Sequence, residues 1–377
     1  MHDTEIRSAV VRIKVIGVGG GGNSVIERIA KENVLDIDLI AVNTDAKQLQ
    51  HLPEVGVKTL QIGADLTKGL GTGAKYDLGE AAARADSDKI KTMLAGADMV
   101  FITAGMGGGT GTGAAPVIAE LAKDLGILTI GVVTVPFSFE GSRKKKVAST
   151  GIEKMQEHMD ALIDVHNDNL LKLETGHKLS LVEAFGAADG VLKQAIRCIS
   201  ELILTIGVIN VDFADVKSIF QQSESPDALL GIGESREGAV KAVQMAVNSP
   251  LIEKSLVGAR GIILNISGNE ALTLYEVNEA TRYIYEHTNP DVNIILGTVV
   301  NEKFADIVQA TIIATDFIDG ASVVKKEAFI EDKVDADLEV PQFLGHFGSH
   351  TSNDSGIGRF QVPGASKMPE FKPGKKE

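Results

Sequence analysis

The sequence predicts an α/β protein in which a domain with a doubly wound, mostly parallel sheet is joined by a long central helix to a smaller α+β domain. Strand and helix patterns alternate between residues 13 and 165, as is typical of parallel sheets. Glycine-rich runs stand before three of the predicted helices. A wide apolar stripe with helical spacing covers residues 180–206 and divides these units from a second group of strands. A chain of 377 residues can hold two or three domains.

The composition narrows the function classes. The net charge of −14 argues against general nucleic-acid binding, which normally uses a basic face. The single cysteine, Cys198, excludes disulfides and a cysteine-based zinc site and favours a reducing cytoplasm. We find no Cys/His cluster with metal-ligand spacing, and no metal site formed by protein side chains alone is expected. No stretch approaches ~18 apolar residues, so no membrane span is expected, and the polar N-terminus does not resemble a signal peptide.

The central motif is the run GMGGGTGTG at residues 105–113. A buried strand is predicted before it, at 99–103, and a helix after it, at 117–125. Glycine lets the backbone approach a ligand closely, and a helix N-terminus offers free N–H groups with partial positive charge. The run therefore predicts a phosphate site, with a flexible linker as the alternative.

Two further glycine runs also stand directly before predicted helices. A strand at 13–18 leads into GGGGN at 19–23 and a helix at 24–32, while GLGTGA at 69–74 precedes a helix at 77–93. Gly17, Gly19 and Gly22 also fit the G-x-G-x-x-G spacing of dinucleotide-dependent oxidoreductases, which is a weak match by itself. The chain lacks the P-loop motif, so phosphates would be held by backbone N–H groups, helix dipoles and a bound cation.

Polar residues follow several predicted strands, where ligands meet open α/β sheets. Asn43 and Asp45 follow the strand at 39–42, with capping of the next helix as the alternative. The strand at 128–134 runs into a segment with Glu140, Arg143 and Lys144, for which a solvated charge cluster is the alternative. The residues after the strand at 161–165 are Asn167, Asp168 and Asn169.

Acidic residues in and after the central helix are candidates for ligand binding or catalysis. Asp189 lies within the apolar pattern of that helix, where a carboxylate is costly unless paired, although an exposed position is the alternative. Asn210, Asp212 and Asp215 flank an aromatic residue and could hold a cation or polarise a water. The competing interpretation is a helix that Asp212 caps, with Asp215 in its first turn.

The chain is divided by these patterns into five parts. We predict a flexible N-terminus at 1–12, a nucleotide-binding domain at 13–179, the central helix at 180–206, an α+β domain at 207–317 and a disordered tail at 318–377. In the α+β domain we predict helices at 236–248 and 274–287 and strands at 261–266, 292–297 and 307–314. Two Pro-x-Phe-like islands in the tail, 340–344 and 368–372, are candidate docking peptides.

The ordered set of motifs resembles the FtsZ family, the tubulin-like GTPases of bacterial and archaeal cell division. GMGGGTGTG matches the family's signature loop, and seven other segments match in order over about residues 12–317; they are 19–23, 43–45, 69–74, 139–141, 167–168, 185–189 and 210–215. The resemblance implies a tubulin/FtsZ-like fold with a Rossmann-like GTPase domain. It also implies GTP hydrolysis, head-to-tail filaments and a contractile division ring in the cytoplasm at midcell.

The resemblance implies a set of nucleotide contacts with GTP or GDP. Phe185 would stack on the base, Asn167 and Asp189 would read guanine, and Glu140 would hold the ribose. The family usually has arginine four residues after this glutamate; here Lys144 has that place and Arg143 precedes it, so which of the two contacts the nucleotide is left open. The remaining expected contacts are Gly20, Gly21, Gly22, Asn23, Asn43, Gly71, Gly73, Ala74, Gly105, Gly107, Gly108, Gly109, Thr110, Gly111, Thr134 and Pro136.

The resemblance further implies that catalysis is shared between copies. Asn210, Asp212 and Asp215 of one copy would complete the site of the next, with Mg²⁺ offsetting phosphate charge. Expected partners are other copies of the chain, and membrane adaptors and division regulators that bind the tail; no nucleic acid is expected. A non-hydrolysing scaffold of the same superfamily is the remaining alternative, and the two aspartates argue against it.

Overall fold

The computed structural model describes residues 11–32, 37–53, 56–172, 179–205, 207–209, 211–252 and 256–317. Four sequence-based predictions fall wholly or partly outside these residues. They concern the N-terminus up to residue 10, Ile206 at the end of the central helix, the catalytic candidate Asn210, and the tail from residue 318 onward.

The first half of the chain alternates strands and helices. Its strands are β1 (Ile13–Val18), β2 (Asp38–Asn43), β3 (Val57–Gln61), β4 (Met99–Gly105), β5 (Leu128–Val135) and β6 (Ala161–His166). Its helices are α1 (Gly19–Glu32), α2 (Ala46–Gln50), α3 (Ala64–Thr67), α4 (Tyr76–Ala85), α5 (Ser87–Leu94), α6 (Thr110–Asp124), α7 (Ser142–Gln156) and α8 (Asn167–Leu170), with a 3-10 turn at Ser138–Glu140. Every strand pairing among β1–β6 is parallel.

The second half begins with the long helix α9 (Leu181–Leu204). It is followed by α10 (Phe213–Gln222), β7 (Asp227–Ser235), α11 (Ala239–Val247), β8 (Ala259–Gly268), α12 (Leu274–Glu286), β9 (Asn293–Val300) and β10 (Val308–Phe317), with 3-10 turns at Leu256–Gly258 and Glu302–Phe304. β10 pairs antiparallel with both β7 and β8, and β9 pairs parallel with β8.

Within the described residues, all ten strands belong to one sheet in the order β3-β2-β1-β4-β5-β6-β7-β10-β8-β9. The two halves meet where β7 pairs with β6 at only two positions, Leu162 with Asp227 and Ile163 with Ala228. The predicted fold class is therefore confirmed, with the addition that the sheet runs through both halves. The exact domain bounds stay a prediction.

Helix α9 is shared by both halves. Its N-terminus is closed by a capping box, in which Ser180 Oγ accepts from the Glu183 N–H at 3.3 Å and Glu183 Oε2 accepts from the Ser180 N–H at 2.7 Å. Val191 and Ile199 on α9 belong to the same buried cluster as Ile130 of β5. That cluster continues into the second half through residues of β7, β8 and β10, so α9 ties the two halves into one core; the contributing residues are Leu230, Ile232, Ile263 and Ile313.

Several predicted element boundaries are wrong. The helices predicted at 24–32 and 117–125 begin earlier, at Gly19 and Thr110, because the glycines themselves form the first helical turns. Pro116 lies inside α6 rather than before it. The helix predicted at 77–93 is two helices that break at Asp86, and the helix predicted at 236–248 begins at Ala239. Strands β3 and β7 were not predicted.

Candidate functional site

The predicted nucleotide-binding residues gather at one edge of the sheet. The carboxyl ends of β1, β2, β4, β5 and β6 meet there because these strands are parallel. Predicted contacts lie at or just after each of these strand ends. They are Gly20–Asn23 after β1, Asn43 at the end of β2, Gly105–Gly111 from the last residue of β4 onward, Thr134 to Lys144 from near the end of β5 onward, and Asn167 after β6.

Two helix N-termini converge at this edge and their glycine loops touch. Gly19 is the first residue of α1 and has φ +71°, a backbone conformation that residues with a side chain rarely adopt. A Cβ on Gly19 would lie 2.8 Å from the N of Gly111 in α6, and one on Gly21 would lie 3.1 Å from the N of Gly105. A Cβ on Gly108 would meet nothing closer than the Gly105 carbonyl oxygen at 3.9 Å. The two loops thus surround open space lined by backbone, which fits an anion.

The third glycine run, 69–74, packs against the central loop. A Cβ on Gly109 would lie 2.0 Å from Thr72 Oγ1, so only glycine fits at that contact. Gly71 and Gly73 have φ of +79° and +58°, and the non-glycine Ala74 has φ +61°. A strained alanine in the left-handed region is a feature that clusters at ligand sites.

Polar side chains connect the loops after β1 and β2. Asn43 Nδ2 donates to Asn23 Oδ1 at 2.8 Å and to Gln48 Oε1 at 2.9 Å. The Thr44 and Thr110 hydroxyl oxygens are 2.7 Å apart. Asp45 caps α2, so the capping alternative holds for Asp45 and fails for Asn43.

The segment after β5 brings acidic and basic groups beside the central loop. Gly107 has φ +92°, and a Cβ there would lie 2.9 Å from the Lys144 carbonyl oxygen and 3.2 Å from Pro136 Cγ. Glu140 Oε2 accepts from Lys144 Nζ at 2.9 Å, while Glu140 Oε1 accepts from the Phe137 N–H at 3.0 Å. Arg143 is exposed and has no ion pair with any described residue. The solvated-cluster alternative therefore fits Arg143 better than Lys144.

An aromatic group and a buried amide lie at the side of the site next to α9. The Phe185 side chain is 39% exposed, and its ring meets the Phe137 ring edge-on at a centroid distance of 5.4 Å. Asn167 is buried, and its Oδ1 has no hydrogen-bond partner within the described part of the chain. Buried acceptors are normally satisfied, so this oxygen fits a donor supplied by a ligand.

Asp189 is a largely buried, paired carboxylate rather than an exposed one. Its Oδ2 accepts from Arg28 Nε at 3.1 Å, and its side chain is 17% exposed. Burial raises the pKa of Asp189 to about 6, with the nearby Glu27 adding to the rise and Arg28 opposing it. The exposed-position alternative is therefore wrong.

The two aspartates of the predicted catalytic loop lie away from this edge. Ile209 bridges Thr298 of β9 just after the C-terminal end of α9, and α10 begins at Phe213. A 24-residue helix is about 36 Å long, and Phe185 lies near its other end. Asp212 occupies the N-cap position of α10 without a side-chain capping bond, and Asp215 lies in the first turn. Both are exposed and their carboxylates have no partner among the described residues.

Comparison with known proteins decides the family. Residues 12–175 match the model of the Tubulin/FtsZ family GTPase domain, and residues 227–318 match the FtsZ family C-terminal domain. The structure described as an empty FtsZ dimer from M. jannaschii is 41% identical, with a TM-score of 0.76, and the match covers 81% of this chain and 88% of that chain. This chain belongs to the FtsZ family. It is accordingly a GTPase that binds GTP and GDP, as the sequence predicted.

Two other solved structures are also similar to this FtsZ-family protein. A mutant form of M. jannaschii FtsZ is 40% identical, with a TM-score of 0.77, covering 81% of this chain and 91% of that chain. CetZ2 from Haloferax volcanii, in a GTPγS-bound protofilament, is 20% identical, with a TM-score of 0.70, covering 89% and 97% of the two chains, and this likeness concerns the fold alone. The oxidoreductase alternative is wrong: Gly17 and Gly22 allow α1 to pack on β1, since a Cβ on Gly17 would lie 2.3 Å from the Gly22 carbonyl oxygen.

Some contacts at this edge of the FtsZ-family protein were not anticipated. Thr44 and Asp168 lie within the motifs that match the family, but they were assigned no role from the sequence, and Arg28 and Ser138 were not singled out.

No group of three or more His, Cys, Asp or Glu side chains within the described ranges is arranged to hold a metal ion. Among the described helices, none combines the length and apolar character that a membrane crossing requires.

Proposed function

We propose that this protein seats GTP at the carboxyl edge of the sheet, polymerises head to tail, and hydrolyses GTP at sites completed between neighbouring copies. Its cellular role would be to form the contractile division ring in the cytoplasm at midcell. The observation that carries the proposal is the separation of an anion-fitting glycine edge from two exposed, unpartnered aspartates by most of the length of α9.

We call the proposed GTP-binding site at the carboxyl edge of the sheet the seat. It would hold the phosphates by main-chain N–H groups. Gly20, Gly21 and Gly22 with Asn23 would act from α1, and Gly105 to Gly111 from the loop and start of α6, helped by Gly71, Gly73 and Ala74. The Thr44 and Thr110 hydroxyls and the phosphate oxygens suit Mg²⁺, which prefers oxygen ligands and keeps several waters. When bound, Mg²⁺ would offset charge on the phosphates.

Guanine would be read at the side of the seat next to α9. An ionised Asp189 can accept from the N1–H and 2-amino groups, and adenine lacks that pair of donors. The unpartnered Asn167 Oδ1 and the half-exposed Phe185 ring suit a polar edge and a stacked base. Thr134, Pro136 and Asn43 would shape the walls around the nucleotide.

The ribose side would use Glu140 together with Lys144. The Lys144 ammonium pairs with Glu140, and the Lys144 backbone carbonyl lies against Gly107 of the central loop, so this residue borders both the ribose side and the phosphate loop. Arg143 has neither contact. We therefore assign the nucleotide contact to Lys144, with Arg143 as the competing candidate.

Hydrolysis would require a second copy. A pair of aspartates can orient and polarise a water, and here they cannot reach their own seat because they follow the far end of α9. Asp212 and Asp215, with Asn210 from outside the described residues, would therefore act on the nucleotide of the next copy. A repeated contact of this kind does not close and makes a filament.

Exposed apolar side chains support contacts at both ends. Leu70 in the third glycine loop and Val182 at the start of α9 are 83% and 81% exposed, beside the seat. Val208, next to the bridge with β9, and Leu274, at the start of α12, are 77% and 79% exposed. In the proposed filament the neighbouring copies would remove such side chains from water, which favours association.

The test is phosphate release measured against protein concentration, with light scattering alongside. We expect specific activity to rise with concentration and scattering to require GTP rather than ATP. Asp212→Ala should bind GTP like the wild type and fail to hydrolyse it. Specific activity that stays constant on dilution would contradict a shared site, and a lack of phosphate release by the wild type would favour the scaffold alternative.

The tail would recruit membrane adaptors and division regulators, through segment 340–344 or segment 368–372. Deleting each segment separately and measuring binding of the chain to a candidate adaptor would distinguish them. The division into domains at residues 12, 179, 206 and 317 is proposed from the changes of pattern along the sequence.

A further inference from the structure

We propose that Asp168 is a positioning residue that fixes two parts of the seat to each other. One is the ribose-side turn, Ser138–Glu140, and the other is the base-side segment that begins at Asn167. The inference rests on the proposed roles of Glu140 and Asn167. It assigns a task to a carboxylate that stands beside the seat without itself being a proposed nucleotide contact.

Asp168 joins two segments that are 30 residues apart in the chain. Its Oδ1 accepts from the Ser138 N–H at 2.8 Å, and its Oδ2 accepts from the Ser138 hydroxyl at 2.5 Å. Lys145 Nζ donates to the same Oδ2 at 2.9 Å and to Ser138 Oγ at 2.7 Å. One carboxylate therefore holds a backbone group, a hydroxyl and an ammonium from the segment after β5.

The carboxylate is ionised under all ordinary conditions. Partial burial works to raise the pKa of Asp168, but the two hydrogen bonds from Ser138 and the ammonium of Lys145 outweigh it and hold the pKa at about 2. Hydrogen bonds to an ionised acceptor are shorter and stronger than neutral ones. The carboxylate therefore stays ionised, and can keep all of these hydrogen bonds, at any pH at which the protein would be studied.

Each end of this connection bears on a different part of the seat. Asp168 directly follows Asn167, the buried amide with an unpartnered oxygen. Ser138 opens the 3-10 turn that carries Glu140, and the preceding Phe137 donates its N–H to Glu140 and packs its ring against Phe185. Fixing Ser138 on Asp168 therefore fixes Glu140 and Phe137 relative to Asn167.

The ion pair also occupies Lys145. Four consecutive basic residues, 143–146, follow the ribose-side turn, and a free ammonium there would be drawn to the phosphates. Because Lys145 is held by Asp168 and Lys144 by Glu140, the two lysines have separate partners. The arrangement keeps the Lys144 ammonium on Glu140 and the Lys145 ammonium on Asp168.

The test compares GDP titrations and steady-state GTP hydrolysis of the full chain. Asp168→Ala should weaken GDP binding and raise KM for GTP about tenfold, with kcat at saturating GTP within about twofold of wild type, because the hydrolytic aspartates come from another copy. Asp168→Asn should fall between, since an amide oxygen still accepts from Ser138 but cannot pair with Lys145. Asp164→Ala, which removes a half-exposed carboxylate on β6, is the matched control and should change neither quantity.

Ser138→Ala and Lys145→Met each remove part of the connection and should shift KM in the same direction by less, which keeps the test usable if Asp168→Ala folds poorly. An unchanged KM in Asp168→Ala would overturn the inference, as would equal losses in kcat and in GDP affinity, which would indicate general damage. Asp189→Asn provides the separate check on the seat itself. If Asp189→Asn weakens GDP binding and Asp168→Ala does not, only the role of Asp168 is wrong; if neither does, the seat is wrong as well.

Discussion

Asp189→Asn should stabilise the nucleotide-free protein while weakening its binding of GTP. Burial raises the pKa of Asp189 from its ordinary value of 3.8 to about 6, so the folded protein holds an ionised carboxylate at a cost. One pKa unit corresponds to about 1.4 kcal/mol, so the cost at neutral pH is at most about 3 kcal/mol. Asparagine has the shape of the neutral acid and avoids that cost, although Arg28 then loses a charged partner.

The sign of the pH dependence follows from the same shift. Between pH 3.8 and about 6 the folded protein binds more protons at Asp189 than the unfolded chain does. The stabilising contribution is therefore fully present below pH 3.8 and is lost as the pH rises through about 6. GTP binding has the opposite dependence, because only the ionised carboxylate offers both oxygens as acceptors for the N1–H and 2-amino groups of guanine. At pH 5 about one molecule in ten is ionised, so the affinity should be about tenfold below its value at pH 7.5.

Two measurements check this pair of effects. Urea unfolding of the nucleotide-free protein at pH 7.5 should show a higher midpoint for Asp189→Asn than for the wild type. Titration with a fluorescent GDP analogue from pH 5 to pH 8 should show a rise in wild-type affinity that the variant lacks. Glu153→Gln, at an exposed position on α7, is the control for loss of one negative charge. A less stable Asp189→Asn, or a wild-type affinity that is flat across pH 6, would refute the reasoning.

Two further predictions concern the phosphate and ribose sides. Gly108→Ala should fold normally but bind GTP about tenfold more weakly, because its methyl group enters the open space between the loops. Gly109→Ala should lose about 2 kcal/mol of stability, because its Cβ overlaps Thr72. Thermal unfolding and GDP titration separate the two variants, and equal stability losses would contradict the assignment. Lys144→Ala should raise KM for GTP several-fold and Arg143→Ala should leave it nearly unchanged; the reverse order in steady-state kinetics would transfer the contact to Arg143.

Much of the sheet could be predicted because buried parallel strands read as continuous apolar runs. β7 escaped prediction because Gly231 and Gly233 interrupt its pattern. They are needed there because a Cβ on Gly231 would lie 2.3 Å from the Ala246 carbonyl oxygen of α11. β3 escaped because it is a short edge strand whose residues are half-buried or exposed.

The start of α6 was misplaced for a related reason. Glycine suits both loops and close helix packing, and the sequence alone does not say which applies. Gly113 lies within the helix, where a Cβ would come 2.0 Å from the Tyr76 carbonyl oxygen of α4. Its role is to let two helices approach, and it does not extend the loop.

The candidate site was predictable where topology alone brings residues together. Residues at the ends of β1, β2, β4, β5 and β6 must meet at one edge once the strands are parallel. The partners of Asp189 and Asp168 could not be foreseen in this way. Arg28 is 161 residues from Asp189, and Ser138 is 30 residues from Asp168, so both contacts depend on how helices and turns pack in three dimensions.

The most direct test of the account mixes two inactive variants. Asp212→Ala keeps its seat but lacks an essential carboxylate, and Gly108→Asp keeps its aspartates but puts a negative charge where the phosphates would lie. Phosphate release should be close to zero for each variant alone and should reappear in an equimolar mixture, because the second variant can complete the site of the first. A mixture as inactive as its components would contradict the claim that one copy's aspartates act on its neighbour's nucleotide.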